Sequence, residues 1–479
     1  MHNRKIKLAF ILSGTLLCFS RCGIPKVTQR TENKTTPVSY NNMAGIDSLN
    51  VATVSWRTFF TDTNLVKLID TALANNQELM ITLQEIEIAK NDIRAKKGAL
   101  LPTLDGGLGV GADKVGRYTS QGAGDESTEI TQGKKVPEIL GDFRVGVNME
   151  WEIDIWKKLR NAKKAAVKRY LATIEGKNFV LTNLIAEIAN AYYELVALDN
   201  ELDIIRQNII TQKNALEVVK AQKEAGRATE LAVQKFQAEV FGTQSKEYEI
   251  LEQIKETENK INFLMGRFPQ EIPRSKDNFV EMIPPIIHAG IPSQLLQNRP
   301  DVKKAELELD ASKLDVKVAK AEFYPSLKIS SSLGLDAFSP AFWIKLPASI
   351  FGSLAADLLG PLANRNAIKA EYLSANAKQK QAVYNFERSI LNGYVEVSTQ
   401  LYKIDNLQKN YDLKSKQIDA LNKSVVVAND LFSSARADYF EVLMTQRDAL
   451  ESKLELIETK QHQLNAVVDV YKSLGGGWR

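Results

Sequence analysis

The sequence holds two cysteines in 479 residues, Cys18 and Cys22, and both fall within its first 22 positions. Everything beyond them is therefore without disulfides, thiolate nucleophiles or cysteine metal sites. Histidine is nearly as scarce: His2, His288 and His462 lie too far apart to form a metal cluster. No phosphate-binding glycine loop and no nucleophile with a neighbouring base is present, so neither an enzyme nor a cofactor is expected. No later segment reaches about 18 consecutive apolar residues, which excludes a membrane-spanning helix. Charge of one sign is missing as well. The 62 basic and 58 acidic residues are interspersed, for a net charge of +4, and leave no footprint for nucleic acid. Proline is absent from 138 to 268 and again beyond 361, so nothing in those two stretches breaks a helix.

The N-terminus carries its own signals. Arg4-Lys5-Ile6-Lys7 precedes the apolar run Leu8 to Phe19, a pattern of a secretion signal and too short to span as a helix. Cys22-Gly23 and the polar tail after it look like a bacterial lipoprotein processing site, despite Arg21 where a small residue is usual. On that reading 1–21 is a lipoprotein signal peptide, Cys22 carries palmitate, and 22–60 is a lipidated linker ending near Trp56. An ordinary signal peptide with two incidental cysteines is the alternative.

The body of the chain is written twice. Ile188, Leu195, Leu202, Ile209 and Leu216 are spaced by seven, and adding 209 gives Val397, Ile404, Tyr411, Ile418 and Val425. The same shift carries Arg227 onto Arg436 and Gln237 onto Gln446. Upstream the offset is 223, taking Asn75 to Asn298 and Pro102-Thr103-Leu104 to Pro325-Ser326-Leu327. The first copy therefore has 14 extra residues, placed in the loop-like stretch Tyr118 to Val136. A repeat this long is one supersecondary unit used twice; its copies are 61–275 and 276–479. Each begins with a helix, at about Leu65 to Lys97 in the first and opened by Pro300-Asp301 in the second. Long helices with a heptad seam follow, the first from about Ile155 to Ala225. Return helices run from about Thr229 to Met265 and from beyond Ser433-Ser434-Ala435 to about Leu474.

Between these helices the period changes to two. Phe143, Val145, Val147, Met149, Trp151 and Ile153 alternate with Asp142, Arg144, Asn148, Glu150, Glu152 and Asp154. Leu104, Leu108 and Val110 alternate with glycines, and Leu327 to Leu335 and Ile350 to Leu358 repeat the pattern more weakly. Each copy thus supplies one hairpin, 103–153 and 326–359, with one apolar face. A soluble sheet with one solvated face is the ordinary reading of such strands. Here the helices have seams of their own and leave nothing to cover those faces, which favours transmembrane strands. Four strands cannot close a barrel and lipid tolerates no open edge, so the chain must oligomerise, and three copies give twelve strands. The expected fold is an α+β membrane protein: a homotrimeric 12-stranded barrel continuing into a long helical barrel.

With these features in place the sequence resembles the TolC-like outer-membrane factors, in the lipoprotein (NodT-like) branch that serves RND-type multidrug efflux. Glu150-Trp151-Glu152-Ile153-Asp154-Ile155-Trp156, Gly290 to Asp301, Ala319 to Leu327 and Tyr471 to Trp478 carry the match. The resemblance implies a homotrimer in the bacterial outer membrane, lipid-anchored and reaching into the periplasm. Its implied partners are a periplasmic adaptor (membrane-fusion) protein and an inner-membrane pump. It further implies a periplasmic gate at Phe440, Glu441 and Met444, with Met444 where many members have aspartate, and adaptor docking at the tips Gly226-Arg227 and Ala435-Arg436. Met444 as packing filler is the alternative. Asp142, Arg144, Glu150, Glu152 and Asp154 are read as lumen-facing charges that favour cations. The expected function is a passive exit duct for drugs or other small molecules. Type I protein secretion and metal-cation efflux are the alternatives within the family, although the seven methionines are scattered and do not form a soft-metal relay. A soluble coiled-coil scaffold would explain the heptads but not the paired strands.

Overall fold

A computed structural model describes residues 24–40, 49–276, 279–284, 287–361, 365–434 and 436–479. In chain order the elements are α1 (Thr63–Asn75), α2 (Gln77–Gly98), β1 (Thr103–Asp113), α3 (Ser120–Ser127), β2 (Glu129–Thr131), β3 (Lys134–Lys135) and β4 (Leu140–Ile153). They continue with α4 (Lys158–Glu224), α5 (Glu230–Leu264), α6 (Pro300–Ala321), β5 (Ser326–Ala337), β6 (Ile350–Leu359), α7 (Asn366–Ser433) and α8 (Tyr439–Ser473). Among the described residues no helix is long and apolar enough to cross a membrane.

Contacts divide the chain into two compact units, each drawing on both halves of the sequence. The first takes 24–31, Ile88–Tyr170 and Leu307–Val383, and the second Glu32–Glu87, Leu171–Glu306 and Tyr384–Arg479. The cause in the first unit is strand pairing: its sheet has the order β1-β4-β5-β6, all antiparallel, so β4 of one half pairs with β5 of the other. Register aligns the alternation across all four strands. Leu104 faces Met149, Leu108 faces Val145 and Val147 faces Leu333, so one side of the sheet is apolar apart from Ser331. That side stays exposed, with Leu104, Leu108, Val110, Leu333, Leu354 and Leu358 all more than 60% accessible.

The second unit buries the heptad seam. Ile188, Leu195, Leu202, Ile209 and Leu216 are all under 9% exposed, as are Leu184, Ala191, Ile205 and Val219 in the interleaved row. Gln212 is the polar member of that row and is equally buried. The partner seam is looser: Val397 and Ile418 are buried, whereas Ile404, Tyr411 and Val425 are half-buried. As far as Ile209 the seam packs with Leu65, Ile69, Ile261, Met265, Leu464 and Tyr471 into one core, and Leu216 and Val219 join a second one.

Helix ends recur at a spacing of 209. Glu224 and Ser433 end α4 and α7, Glu230 and Tyr439 begin α5 and α8, and Leu264 and Ser473 end them. Gln222 O accepts from Arg227 N and Leu431 O from Arg436 N, each at 2.8 Å. Further on, Asn262 O accepts from Arg267 N at 3.0 Å and Tyr471 O from Gly476 N at 2.9 Å. These are the six-to-one bonds of a Schellman end, which satisfy carbonyls that a terminating helix leaves orphaned.

Two expectations from the sequence are corrected. The single helix expected from Leu65 to Lys97 is two, α1 and α2, because Asn76 breaks the ladder. Its Oδ1 accepts from Leu79 N and its Nδ2 donates to Leu264 O, both at 2.9 Å, so the side chain caps α2 and ties it to the end of α5. The stretch Tyr118 to Val136 is not bare loop but contains α3 and the small β2-β3 hairpin. Thr119 caps α3 by accepting from Gly122 N, and Gly122 sits where any Cβ would overlap the Gly116 carbonyl.

Candidate functional site

Pleating places every second residue of each strand on the polar side of the sheet. Successive levels there read Gly109-Arg144-Asp336, then Gly107-Gly146-Gly334-Phe351, then Asp105-Asn148-Ser332-Ser353, then Thr103-Glu150-Ser330-Ala355, then Glu152-Lys328-Asp357. Arg144 donates to Asp336 Oδ2 at 2.9 Å, and its guanidinium lies 5.1 Å from the Phe351 ring centre. Phe351 is the one aromatic on this side. Its ring fills the space beside two glycines: a Cβ built at Gly146 would come within 3.3 Å of the ring, and one at Gly334 within 2.8 Å. Glu152 is held by Lys158 at 2.8 Å. Asp105, Asp142, Glu150, Glu152, Asp336 and Asp357 thus share the face with Arg144 and Lys328 as its cations, an acidic excess even after ion pairing.

Asp154 does not join them, a correction to the sequence reading. It lies one residue past β4, 9% exposed, where its carboxylate accepts from Leu159 N at 3.0 Å and from Arg160 N at 2.9 Å while pairing with Arg160 Nε. An aspartate at the positive end of α4 serves the helix. Strand parity cannot show where a strand ends, and that is why the sequence assigned Asp154 to the wall.

The tip residues lie in the second unit. Gly226 adopts φ 71°, a left-handed conformation that glycine enters without the Cβ penalty, and its N–H donates to Lys223 O at 2.8 Å. Beyond it Thr229 caps α5, and Lys223 pairs with Glu230 across the turn. At the second tip Arg436 closes the corresponding bond, and Ala435 lies outside the described residues, as does Cys22. Val442 is buried in a cluster with Leu216, Val219, Val233 and Phe236, while Phe440 is 58% exposed and Glu441 is exposed. Met444, one turn beyond Phe440, is half-buried.

The sequence reading missed three features. Asp336 and Phe351, partners of Arg144, are in the other half of the chain and only register brings them together. Arg299, quoted only as part of a motif, is 5% exposed and fully engaged: Nε and Nη2 grip Asp301, and Nη1 donates to Glu396 and to Ser473 O. Lastly, the polar segment before Trp56 is docked rather than free. Asn33 N donates to Glu387, Lys34 pairs with Glu306, and Tyr40 is buried with its ring stacked 5.5 Å from Tyr394. Its composition hid this because the contacts are a backbone bond, one ion pair and a single aromatic, each with a partner far away in the chain.

Comparison with known proteins agrees with this architecture. The family model "Outer membrane efflux protein" matches residues 68–267 and 291–476. The chain is 27% identical over 425 residues to the pyoverdine export outer membrane protein OpmQ of Pseudomonas aeruginosa, covering 88% of this chain and 87% of that one. It is 26% identical over 441 residues to the toluene efflux pump outer membrane protein TtgI of Pseudomonas putida, covering 92% and 91%. A crystal structure of a membrane protein from Pseudomonas aeruginosa superposes with a TM-score of 0.84 at 24% identity, over 95% of this chain and all of that one. A match across both halves, on a fold with the four-stranded sheet and paired long helices, is decisive: the chain belongs to the outer membrane efflux protein family.

Proposed function

We propose that the chain is the exit duct of a tripartite efflux system: three copies close a twelve-stranded barrel in the outer membrane, and their helices form a conduit through the periplasm. The observation that carries this reading is the sheet. Its edge strands β1 and β6 each pair on one side only within the chain, and on its apolar face Leu104, Leu108, Val110, Leu333, Leu354 and Leu358 are exposed. In lipid the open edges are untenable for a single copy, because each unpaired backbone group costs several kcal/mol, and in water the apolar face is costly instead. Two further copies remove both edges and turn the apolar face to the acyl chains. The 209-residue recurrence of helix ends supports treating the two halves, 61–275 and 276–479, as equivalent staves of the helical conduit.

The polar face then becomes the lumen wall, and its acidic excess favours cations. Arg144 offers little opposition, since Asp336 neutralises it. Exposed Phe440 and Glu441 form the periplasmic constriction, with Met444 behind them. The Gly226-Arg227 and Ala435-Arg436 turns meet a periplasmic adaptor that couples the duct to an inner-membrane pump. Cys22 is acylated. Ile24 and Val27 support that anchor, since they pack beside Phe323 at the helical end of β5, where the inner leaflet would lie.

Two measurements test the reading. The folded chain in detergent should migrate faster on a gel before boiling than after, as barrels do, and in planar bilayers its reversal potential in a salt gradient should report cation preference. Unchanged migration would refute the barrel, and anion preference would refute the lumen assignment.

A further inference from the structure

The loop between β5 and β6, residues 338–349, lies at the end of the sheet away from α2, α4, α6 and α7, since all four strands meet their helices at the opposite end. It bends toward the apolar side rather than over the polar one. Gly141 and Phe143 share the apolar parity of β4, and a Cβ at Gly141 would lie 2.7 Å from both the Phe143 ring and the Phe338 carbonyl oxygen. The Trp343 indole N–H donates to Phe143 O at 2.9 Å, and Ser349 Oγ donates to Trp343 O at 2.9 Å, which fixes the fold of the loop. Outside this frame Ile344 is 85% exposed and Leu346 63%, a few residues before Ile350 opens the apolar row of β6. Lys345 stands over the Phe342 ring at 4.4 Å.

Length sets the level. From Ile153 to Phe143 the apolar row of β4 spans about 33 Å at ~3.3 Å per residue, or roughly 25 Å along the normal at a tilt of ~40°. That fills the apolar band of an outer-membrane barrel, with Trp151 at one boundary and Trp343 at the other. Tryptophan and phenylalanine rings settle at such boundaries, and a lysine beside them reaches to the phosphate layer.

We infer that loop 338–349 is an outer-leaflet lipid anchor, with Ile344 and Leu346 immersed among acyl chains, and not a plug of the duct. The inference rests on the outer-membrane reading of the sheet. Variants of the full chain that each add one cysteine, Ile344→Cys, Leu108→Cys and Tyr118→Cys, nitroxide-labelled in phosphatidylcholine vesicles, test it by collision with oxygen and with a water-soluble nickel chelate. The unsubstituted chain supplies the background from Cys18 and Cys22. Leu108 lies on the apolar face of β1, and Tyr118 is fully exposed in the β1-β4 connection. The label at 344 should resemble that at 108, with an oxygen-to-nickel accessibility ratio at least threefold above that at 118. A ratio at 344 equal to that at 118, with 108 still lipid-exposed, overturns the anchor alone. Water exposure at 108 overturns the membrane reading beneath it.

Discussion

Arg299→Met removes four hydrogen bonds at once. Two go to Asp301 at 3.0 and 2.7 Å, one to Glu396 at 2.6 Å and one to Ser473 O at 2.8 Å. These ties join the start of α6, the middle of α7 and the end of α8, so one side chain fixes three helices. Breaking a buried ion pair costs about 3–5 kcal/mol. The low end applies, because the Asp301 and Glu396 side chains are 23% and 52% exposed and can recover water once the guanidinium is gone. At ~2 °C or less per kcal/mol for a chain of this length, a loss of about 3 kcal/mol lowers the thermal midpoint by roughly 4–6 °C. Far-UV circular dichroism of the detergent-solubilised full chain measures it. Arg299→Lys keeps the charge but not the two-pronged grip and should lose about half as much. Combined with Asp301→Asn, Arg299→Met should show a coupling of about 1–3 kcal/mol. Burial alone would lower the Arg299 pKa, yet Asp301 and Glu396 outweigh it and hold it above the usual arginine value. A raised basic pKa stabilises below the unfolded value and is lost only as pH climbs through the folded one, so this contribution persists at any ordinary assay pH. A midpoint within 1 °C of the native chain for Arg299→Met, or full rescue by lysine, would refute the argument.

Other residues give sharper contrasts. A Cβ at Gly334 would overlap the Val145 carbonyl and lie 2.6 Å from Gly146 Cα, whereas one at Gly109 meets nothing nearer than 3.9 Å. Gly334→Ala should therefore cost about 1–3 kcal/mol and lower the yield of heat-modifiable protein, while Gly109→Ala leaves it unchanged; equal yields would contradict the register. Gly226→Ala forces alanine into a left-handed turn at about 1 kcal/mol, and limited proteolysis at the first tip should speed up roughly fivefold. Glu201 is raised to about 7 by burial and by Glu458, in a cavity also lined by Glu194, Lys246, Glu451 and Glu455. A carboxyl with a raised folded pKa favours folding while protonated, so stability should decline from the ordinary carboxylate range up to about pH 7. Glu201→Gln should flatten that slope in urea titrations at several pH values, and an unchanged slope would assign the effect elsewhere.

Some of this protein was settled by local pattern alone. Seven-residue spacing put Ile188 to Leu216 into a buried seam, because a helix repeats its faces whatever its surroundings. Period two marked β4, and the stretches without proline marked α4 and α7, since helix breaking is a property of the residue itself. The family was legible in Gly290 to Asp301, but what Arg299 does there was not. Pairing across the two halves decided the rest. Register alone put Asp336 beside Arg144 and Phe351 beside Gly146 and Gly334, and helix nucleation removed Asp154 from the wall. Asn76 broke a helix through a bond to Leu264, 188 residues away. A sequence states the periodicity of each segment, which is local chemistry. Which segments meet, and what their side chains then hold, depends on free energies summed over contacts far apart in the chain, and only the folded structure carries that sum.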